Sequence, residues 1–417
     1  MTATTDFYDT LEQRDPGRRE AELLAALPRQ LQHAQQAAPA FAKILQGIDC
    51  SAVTTRDALA TLPVTRKSEL LERQKQWRSS DPFGGFSAIA RGPAMARVFA
   101  SPGTIYEPEG VARDYWRTAR ALHAAGFRAG DLAHNSFSYH LTPAGAIMES
   151  GALALGCTVF PGGTGQTEQQ VEAMAELRPT GYIGTPSFLR ILLERSAAMQ
   201  IALPHLRKAL LSGEAFPPSL RDWLAERGVT GMQCYATADI GLIAYETSAR
   251  EGLVLDEGVL LEIVRPGTGD PVPEGEVGEI VVTTFNRDYP LVRFGTGDLS
   301  AVLPGACPTG RTNTRIKGWL GRADQTTKVR GMFVHPGQVA SVLKRFPDVT
   351  RARLVVEGEM ADDRMTLKVE SAAVDGLAER MAEVVREVTK LRCAIECVAA
   401  GSLPNDGKVI EDARSYK

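Results

Sequence analysis

The stretch from residue 289 to residue 331 constrains the fold more than any other part of the chain. It opens with apolar residues at 290–294, which predict a strand, and continues through Gly295-Thr296-Gly297. Glycine relaxes the steric limits on the backbone, so this tripeptide predicts a sharp turn. The turn would set the carboxylate of Asp298 at the end of a strand, where it could accept hydrogen bonds from neighbouring hydroxyls such as a ribose diol. A simple strand-ending turn explains Asp298 equally well.

A second group of motifs follows within the same stretch. Gly321, Arg322 and Asp324 form a GRxD pattern, and a KxxG pattern begins at Lys328. TGDL, GRxD and KxxG in this order resemble the adenylate-forming superfamily of acyl-CoA synthetases, in which this region joins a large domain to a small mobile one. From residue 7 to residue 408 the chain is similar to the phenylacetate-CoA ligase family.

The resemblance implies an α/β fold with two domains. A large layered α/β domain with an added β region would span residues 1–322, and its helical N-terminal region would span about 1–80. A small α+β lid domain of ferredoxin-like order would span 323–417, with Asp324 as the hinge. The length agrees with this division, because 417 residues exceed what a single core usually holds.

Local patterns fit the same organisation. Apolar residues at helical spacing over 18–48 predict two or three short helices interrupted by Pro28 and Pro39. A strand-like run at 157–160, a glycine-rich turn and a helix pattern together predict a βα step of a parallel sheet. Alternating apolar and polar residues over 251–283 predict antiparallel strands.

Composition excludes several other classes of protein. The net charge of −3 gives no basic surface for nucleic acid. No run of eighteen apolar residues and no hydrophobic signal core occur, so we expect a cytoplasmic protein without a membrane span. The six cysteines are scattered and the six histidines lack ligand spacing, which predicts buried reduced thiols and no structural zinc.

The phosphate-binding loop expected from the resemblance departs from its usual form, SSGTTGKPT. Ser101, Gly103 and Thr104 match the front of that loop, and they would contact the ATP phosphates. The second glycine and the lysine are absent, Pro102 lacks an amide donor, and two glutamates add negative charge. Because such loops act through amide donors and positive potential, we expect weaker ATP binding or a basic residue from elsewhere.

Two further segments resemble motifs of the acid-binding pocket in this family. Aromatic and glycine residues lie where the family has NAYGYG and IPxSGGQTExQ. The resemblance assigns Phe137, Tyr139 and His140 to an aromatic wall and Gly162 with Gly163 to a floor. Read without the resemblance, such an aromatic cluster is more simply part of the core.

The remaining nucleotide residues follow two predicted strands at the carboxyl edge of the sheet, where α/β folds bind ligands. By resemblance, the SGEA and YATAD segments surround the adenine, the α-phosphate and Mg²⁺. A capping turn and a core aromatic are the alternative interpretations of these segments. The expected AMP-binding residues are Gly213, Glu214, Tyr235, Ala236, Thr237, Asp298 and Arg322, with Asp239 as the metal ligand in place of the family's usual glutamate.

The tail carries the expected catalytic residue. Residues 402–409 resemble the family's IPRSEGKA motif, one residue shorter and without its arginine, and place Lys408 at the lysine. The resemblance implies that this lysine stabilises the acid and the α-phosphate during adenylation, before the lid domain rotates and the thiol of coenzyme A attacks. A lysine on a loop is otherwise a solvated charge.

Three functions remain open at this point. The first is an aryl- or arylacetyl-CoA ligase that uses ATP, Mg²⁺ and coenzyme A. The second is an adenylate-forming enzyme with another acceptor, and the third is a protein that binds nucleotide or acid without turnover. The altered loop at 101–110 motivates the third. A homodimer is expected only from the family.

Overall fold

The computed structural model describes residues 7–323, 325, 327–330, 332–334, 336–347, 349, 351–358, 363–371, 376–399, 401–404 and 409–414. The chain divides into two compact units. The first comprises Met1–Phe216 and Leu220–Leu320, and the second comprises Gly321–Lys417 with Pro217–Ser219. The second unit has an apolar core of its own, formed by buried side chains between Val329 and Ile410.

Several helices of the first unit begin at recognisable capping residues. The Asp15 carboxylate accepts a hydrogen bond from the Arg18 amide at the start of one helix, and Pro16 follows it. No described helix is both long and apolar enough to cross a membrane. The α-helices of this unit are α1 (Pro16–Ala37), α2 (Pro39–Ile44), α3 (Arg56–Ala60), α4 (Lys67–Trp77), α5 (Ala119–Ala124), α6 (Ala144–Leu155), α7 (Thr167–Leu177), α8 (Pro186–Ala198) and α9 (Pro218–Ala225), whose first two residues group with the second unit.

Three sheets make up the β-structure of the first unit over its described residues. Their strands are β1 (Thr65–Arg66), β2 (Met95–Ser101), β3 (Ile105–Gly110), β4 (Leu132–Asn135), β5 (Thr158–Pro161), β6 (Gly181–Gly184), β7 (Lys208–Leu211), β8 (Thr230–Thr237), β9 (Gly241–Glu246), β10 (Leu253–Leu255), β11 (Val259–Val264), β12 (Gly278–Thr284), β13 (Phe294–Ser300), β14 (Val302–Leu303) and β15 (Arg315–Ile316).

The largest sheet has nine strands in the order β14-β15-β10-β9-β8-β7-β6-β4-β5. Strands β4 to β8 pair in parallel, so the loops that follow them gather at one edge. A four-stranded sheet has the order β1-β13-β12-β11, and β2 pairs with β3 as a hairpin. The predicted α/β class is confirmed.

The second unit combines a hairpin with a small mixed sheet. Strands β18 and β19 are antiparallel, while β19 pairs in parallel with β20 and β18 in parallel with β21. Its elements are β16 (Thr327–Val329), β17 (Met332–Val334), α10 (Pro336–Leu343), β18 (Arg351–Glu357), β19 (Arg364–Glu370), α11 (Leu377–Thr389), β20 (Ala394–Val398) and β21 (Ile410–Asp412).

The expected strand at 290–294 is wrong, because β13 begins at Phe294 and continues to Ser300. The register between β12 and β13 shifts, so that Val281 lies opposite Gly295 while Glu279 lies opposite Leu299. The extra residues form a bulge in which Gly297 has a φ of 74°. Asp298 therefore lies within a bulged strand and not in a turn after its end.

Two further expectations need correction. Pro28 does not interrupt the first helix but lies inside α1, beside the fully buried Leu27 and Leu31. Core packing on this side offsets the cost of an internal proline, about 3 kcal/mol. The cysteines are all free thiols, and Cys397 is exposed rather than buried.

Arg293 forms a buried ion pair at the four-stranded sheet and also binds backbone carbonyls of the N-terminal helical region. The Arg293 guanidinium, 1% exposed, donates to both oxygens of Glu262 at 3.0 Å. It also donates to the carbonyls of Ala60 at 2.8 Å and Gly269 at 2.7 Å, and to that of Leu62. Burial raises the pKa of Glu262, and the positive charge of Arg293 opposes that rise.

We predict that Arg293→Leu lowers the free energy of unfolding of the first unit by about 3–5 kcal/mol, because it leaves Glu262 buried without its cation. Denaturant unfolding followed by circular dichroism measures this change. Arg190→Leu is the control, because its pair with Glu194 is exposed and should contribute at most about 1 kcal/mol. Equal losses in the two variants would contradict the prediction.

Candidate active site

The structure brings the two loops expected to bind the acid side by side. Strands β4 and β5 are neighbours, and the Gly163 amide donates to the Asn135 carbonyl at 3.1 Å. After β4, Phe137 is buried against the core of the large sheet, whereas Tyr139 is 37% exposed. The Asn135 amide donates to the Tyr139 hydroxyl at 2.7 Å, which fixes that ring, and His140 is exposed.

Close packing explains the glycine at the first floor position. A Cβ on Gly162 would lie 2.8 Å from both His134 Nε2 and Gln170 Oε1, so no side chain fits there. The His134 ring stacks on Phe160, and burial lowers its pKa. Gly163 has a φ of 66° and open space around it.

The loops after β6 and β7 also meet at this edge. The hydroxyl of Ser187, in the first turn of α8, donates to Glu214 Oε2 at 2.5 Å. The Ser187 amide contacts the same oxygen at 3.4 Å. Gly213 precedes Glu214 with a φ of 80°, a conformation that favours glycine. The SGEA segment thus forms a polar turn next to β8.

A hydrogen bond between two of the expected nucleotide-binding residues connects the nine-stranded sheet to the four-stranded sheet. The Tyr235 hydroxyl on β8 donates to Asp298 Oδ2 on β13 at 2.7 Å. The Trp319 indole donates to Asp298 Oδ1 at 3.1 Å. Ala236 and Thr237 follow Tyr235 at the end of β8 and are half-buried. The structure therefore brings the TGD and YATAD motifs into direct contact.

A cation that the sequence analysis did not identify lies at the end of β8. Asp239 occupies the turn between β8 and β9 with an exposure of 3%, and Lys67 Nζ donates to its Oδ2 at 2.7 Å. Lys67 is the first residue of α4, directly after β1, which pairs with β13. Its 172-residue separation from Asp239 explains why no local pattern indicated this contact.

The altered segment 101–110 is not a continuous loop, because Ser101 ends β2 and residues 105–110 form β3. Residues 102–104 form the turn of the β2–β3 hairpin. The Ser101 hydroxyl and amide both donate to the Glu107 carboxylate, the amide at 3.3 Å. Counted from Ser101 along the form SSGTTGKPT, Glu107 stands where that form has its lysine. Gly103 and Thr104 are exposed at the tip. Of the residues assigned to phosphate by resemblance, Ser101 is thus bound to an internal carboxylate.

Helix α4, which begins with Lys67, also hydrogen-bonds the β2–β3 hairpin. The Gln74 side-chain amide donates to the Tyr106 carbonyl and accepts from the Tyr106 amide, both at 2.8 Å. One turn further on, Arg78 donates to the Thr104 carbonyl at 2.9 Å. The positions of the cation and the loop are therefore set by one helix.

Two carboxyl groups interact electrostatically behind this loop. Burial, and then the negative charge of Asp239, raise the pKa of Glu107 to about 8, and Lys67 opposes the rise. Burial also raises the pKa of the Tyr289 hydroxyl, which interacts with both carboxyl groups. The protein therefore favours a proton on Glu107 near neutral pH.

Asp239 suits a divalent cation that accompanies a phosphate ligand. Its Oδ1 is buried and has no hydrogen-bond partner among the described residues. Mg²⁺ usually takes one or two carboxylates together with substrate phosphates, so a single available oxygen is sufficient. Within the described part of the chain, no group of three His, Cys, Asp or Glu side chains could hold a metal ion alone.

Three expected residues belong to the second unit. Arg322 is half-buried there. The hinge residue Asp324 and the catalytic candidate Lys408 lie outside the described residues. Their roles stay predictions from the resemblance.

Comparisons with known proteins agree with the fold. The profile of the AMP-binding enzyme family matches residues 114–286. The phenylacetate-coenzyme A ligase of Thermus thermophilus is 34% identical over 82% of this chain and 79% of its own length. The protein of the same name from Escherichia coli is 30% identical over 75% of this chain and 72% of its own length.

A solved structure of 2-hydroxyisobutyryl-CoA ligase, in complex with 2-HIB-AMP and CoA, has the same fold. It matches with a TM-score of 0.82 and 24% identity over 100% of this chain and 94% of that chain. Together these findings define the class as an AMP-forming acid–CoA ligase. The similarity to curated relatives over most of their length shows that the chain belongs to the phenylacetate-coenzyme A ligase family.

We predict that Glu107 makes the protein less stable as the pH rises from about 4.5 to about 8. The folded state retains a proton that the unfolded chain releases in this range, because the pKa of Glu107 rises from 4.5 to about 8 on folding. Its contribution to the slope is at most about 1.4 kcal/mol per pH unit. Glu107→Gln should flatten the decline in denaturant unfolding measured across this range.

The control for this measurement is Glu72→Gln, which changes an exposed carboxylate on α4. Its unfolding free energy should follow the wild-type pH dependence. A Glu107→Gln profile as steep as that of the wild type would refute the assignment.

Proposed function

We propose that this protein activates an aromatic carboxylic acid, arylacetic or aryl, with ATP and transfers the acyl group to coenzyme A. The observation that carries the proposal is the contact between Asp298 and Tyr235, close along β8 to the ion pair of Lys67 and Asp239. Near the end of β8, this arrangement provides a carboxylate, Asp298, that can accept hydrogen bonds from a diol and a cation, Lys67, that can bind a phosphate. The family membership supports the same reaction.

The nucleotide half of the site would bind AMP. Asp298 accepts hydrogen bonds from the ribose hydroxyls, and Tyr235 packs against the base beside Gly213 and Glu214. The carboxylate is 8% exposed, so its hydrogen bonds are partly shielded from water. The solved structure of the same fold is a complex with 2-HIB-AMP and CoA, which supports the proposal that the site takes an adenylate.

Lys67 would supply the positive charge that the altered loop lacks. Its side chain is 33% exposed, so a ligand can reach it, while Asp239 holds the ammonium in place. It also lies at the N-terminus of α4, where the backbone amides favour an anion. Mg²⁺ bound with ATP would be held by Asp239 and would neutralise phosphate charge.

The acid would enter between the loops after β4 and β5. Tyr139, 37% exposed, offers aromatic surface, and Gly163 has open space around it for the acid. Phe137 would act from the core beneath this surface, and Gly162 allows the close approach of the two loops. The names of the curated relatives, which are phenylacetate-coenzyme A ligases, support an aromatic substrate.

The reaction has two steps. The carboxylate oxygen attacks the α-phosphorus of ATP and releases pyrophosphate, which leaves an acyl-adenylate. Lys67 and Lys408 stabilise the charge on the phosphate in this step. The sulfur of coenzyme A, having lost its proton, then attacks the acyl carbon and releases AMP.

We predict that Lys67→Ala lowers acid-dependent ATP–pyrophosphate exchange by about 10²-fold, because a cation aimed at developing phosphate charge is removed. Lys67→Arg should retain part of the exchange. The matched control is Lys75→Ala on the same helix, which removes an exposed partner of Glu72 and should leave the rate unchanged. Equal rates for Lys67→Ala and the wild type would exclude this role.

We predict that Lys408→Ala lowers the same exchange by about 10²-fold or more and has a smaller effect on thioester formation from supplied phenylacetyl-adenylate. The two rates separate adenylation from acyl transfer. Lys390→Ala, which removes an exposed lysine of the same unit, is the control. Wild-type protein that shows no exchange with any of a panel of aromatic and aliphatic acids would disprove the proposed function.

A further inference from the structure

Trp319 is held beside the candidate ribose acceptor by the backbone that precedes and follows it. The Lys317 amide donates to the Ala301 carbonyl and the Leu320 amide to the Leu299 carbonyl, both at 2.9 Å. The Ser300 hydroxyl donates to the Gly318 carbonyl at 2.6 Å. These hydrogen bonds hold segment 317–320 against the end of β13, next to Asp298.

The two oxygens of Asp298 bind different protein donors. Tyr235 binds Oδ2 at 2.7 Å and Trp319 binds Oδ1 at 3.1 Å, so rotation of the carboxylate about its last torsion would break both hydrogen bonds. An ionised carboxylate has about two acceptor sites on each oxygen. A carboxylate can thus bind protein donors and ligand hydroxyls at the same time.

Exposure distinguishes the two donors. Tyr235 is 9% exposed and Asp298 is 8% exposed, whereas Trp319 is 40% exposed. The donor to Oδ1 is therefore much more accessible to solvent than the donor to Oδ2. Neither the motif TGDL nor the motif GRxD includes Trp319, which stands between them.

We propose that Trp319 is a positioning residue for nucleotide recognition, whose indole orients Asp298 so that its two oxygens meet the 2′- and 3′-hydroxyls of a ribose. The inference rests on the proposed function, since it takes Asp298 as the ribose acceptor. It assigns to this chain a determinant of selectivity for ribonucleotides outside the motifs that carry the family resemblance. A vicinal diol needs both acceptors at a fixed orientation, whereas a ligand without hydroxyls gains nothing from it.

The test compares two ligands in two proteins. The affinities of AMP and 2′,3′-dideoxy-AMP are measured by isothermal titration calorimetry for the wild type and for Trp319→Phe, which keeps the ring and removes the indole N–H. We expect the wild type to prefer AMP and Trp319→Phe to lose about tenfold of that preference, the size of one charged hydrogen bond. An unchanged ratio of the two affinities would overturn the proposal.

Trp77→Phe is the matched control, because Trp77 is 39% exposed and so resembles Trp319 in accessibility. It should keep the wild-type ratio of affinities, and an equal loss in this variant would count against Trp319. A purely structural role for Trp319 would weaken both ligands alike and leave the ratio intact.

A second measurement needs no variant in the titrated protein. With ¹⁵N-labelled tryptophan in the full chain, the indole signal of Trp319, assigned by its absence in Trp319→Phe, should shift on addition of AMP and shift less with 2′,3′-dideoxy-AMP. Identical shifts with the two ligands would contradict the proposal. Both experiments measure binding and not catalysis. If the protein binds AMP but shows no pyrophosphate exchange, the proposed function is wrong, and the two experiments still show whether Trp319 positions Asp298.

Discussion

The hydrogen bond between Tyr235 and Asp298 is the contact on which the organisation of the site depends. It links the nine-stranded sheet to the four-stranded sheet. Each of the two residues comes from a short motif that, taken alone, has a simple structural explanation. The bulge in β13 makes the contact possible, because its extra residues and Gly297 redirect the strand at the position of Asp298. Without that bulge the carboxylate would follow the regular alternation of the strand.

The charges around the phosphate end of the site are rearranged relative to the usual loop. A carboxyl group, Glu107, stands where the form SSGTTGKPT has a lysine, and it is bound by Ser101 within its own hairpin. Under the proposed function the positive charge comes instead from Lys67 on α4, whose ammonium lies 2.7 Å from Asp239 Oδ2. Lys67 is far from this hairpin in sequence, and burial favours the protonated, neutral form of Glu107.

The candidate residues that sequence reasoning identified lie in short motifs, and those it did not identify are candidates only through tertiary contacts. Asp298 and Tyr235 were expected from TGDL and YATAD, and Gly162 from its glycine-rich turn. Lys67 and Trp319 were missed because each contacts its carboxylate only after separate elements have packed together. The boundary of β13 was wrong for a similar reason, since glycine predicts a turn locally but also permits a bulge when a neighbouring strand supplies hydrogen bonds.

Helix α4 has a consequence for how this site can vary. Lys67 and Gln74 lie seven residues apart on one rigid helix, a distance of about 10.5 Å along its axis. Lys67 at the start of the helix carries the ammonium, and Gln74 near its end hydrogen-bonds the backbone of the hairpin. The length of the helix therefore sets the distance between these two contacts. Inserting or deleting a single residue within it would rotate one end by about 100° against the other. Homologous chains that share this arrangement should therefore tolerate substitutions along the helix far better than changes in its length.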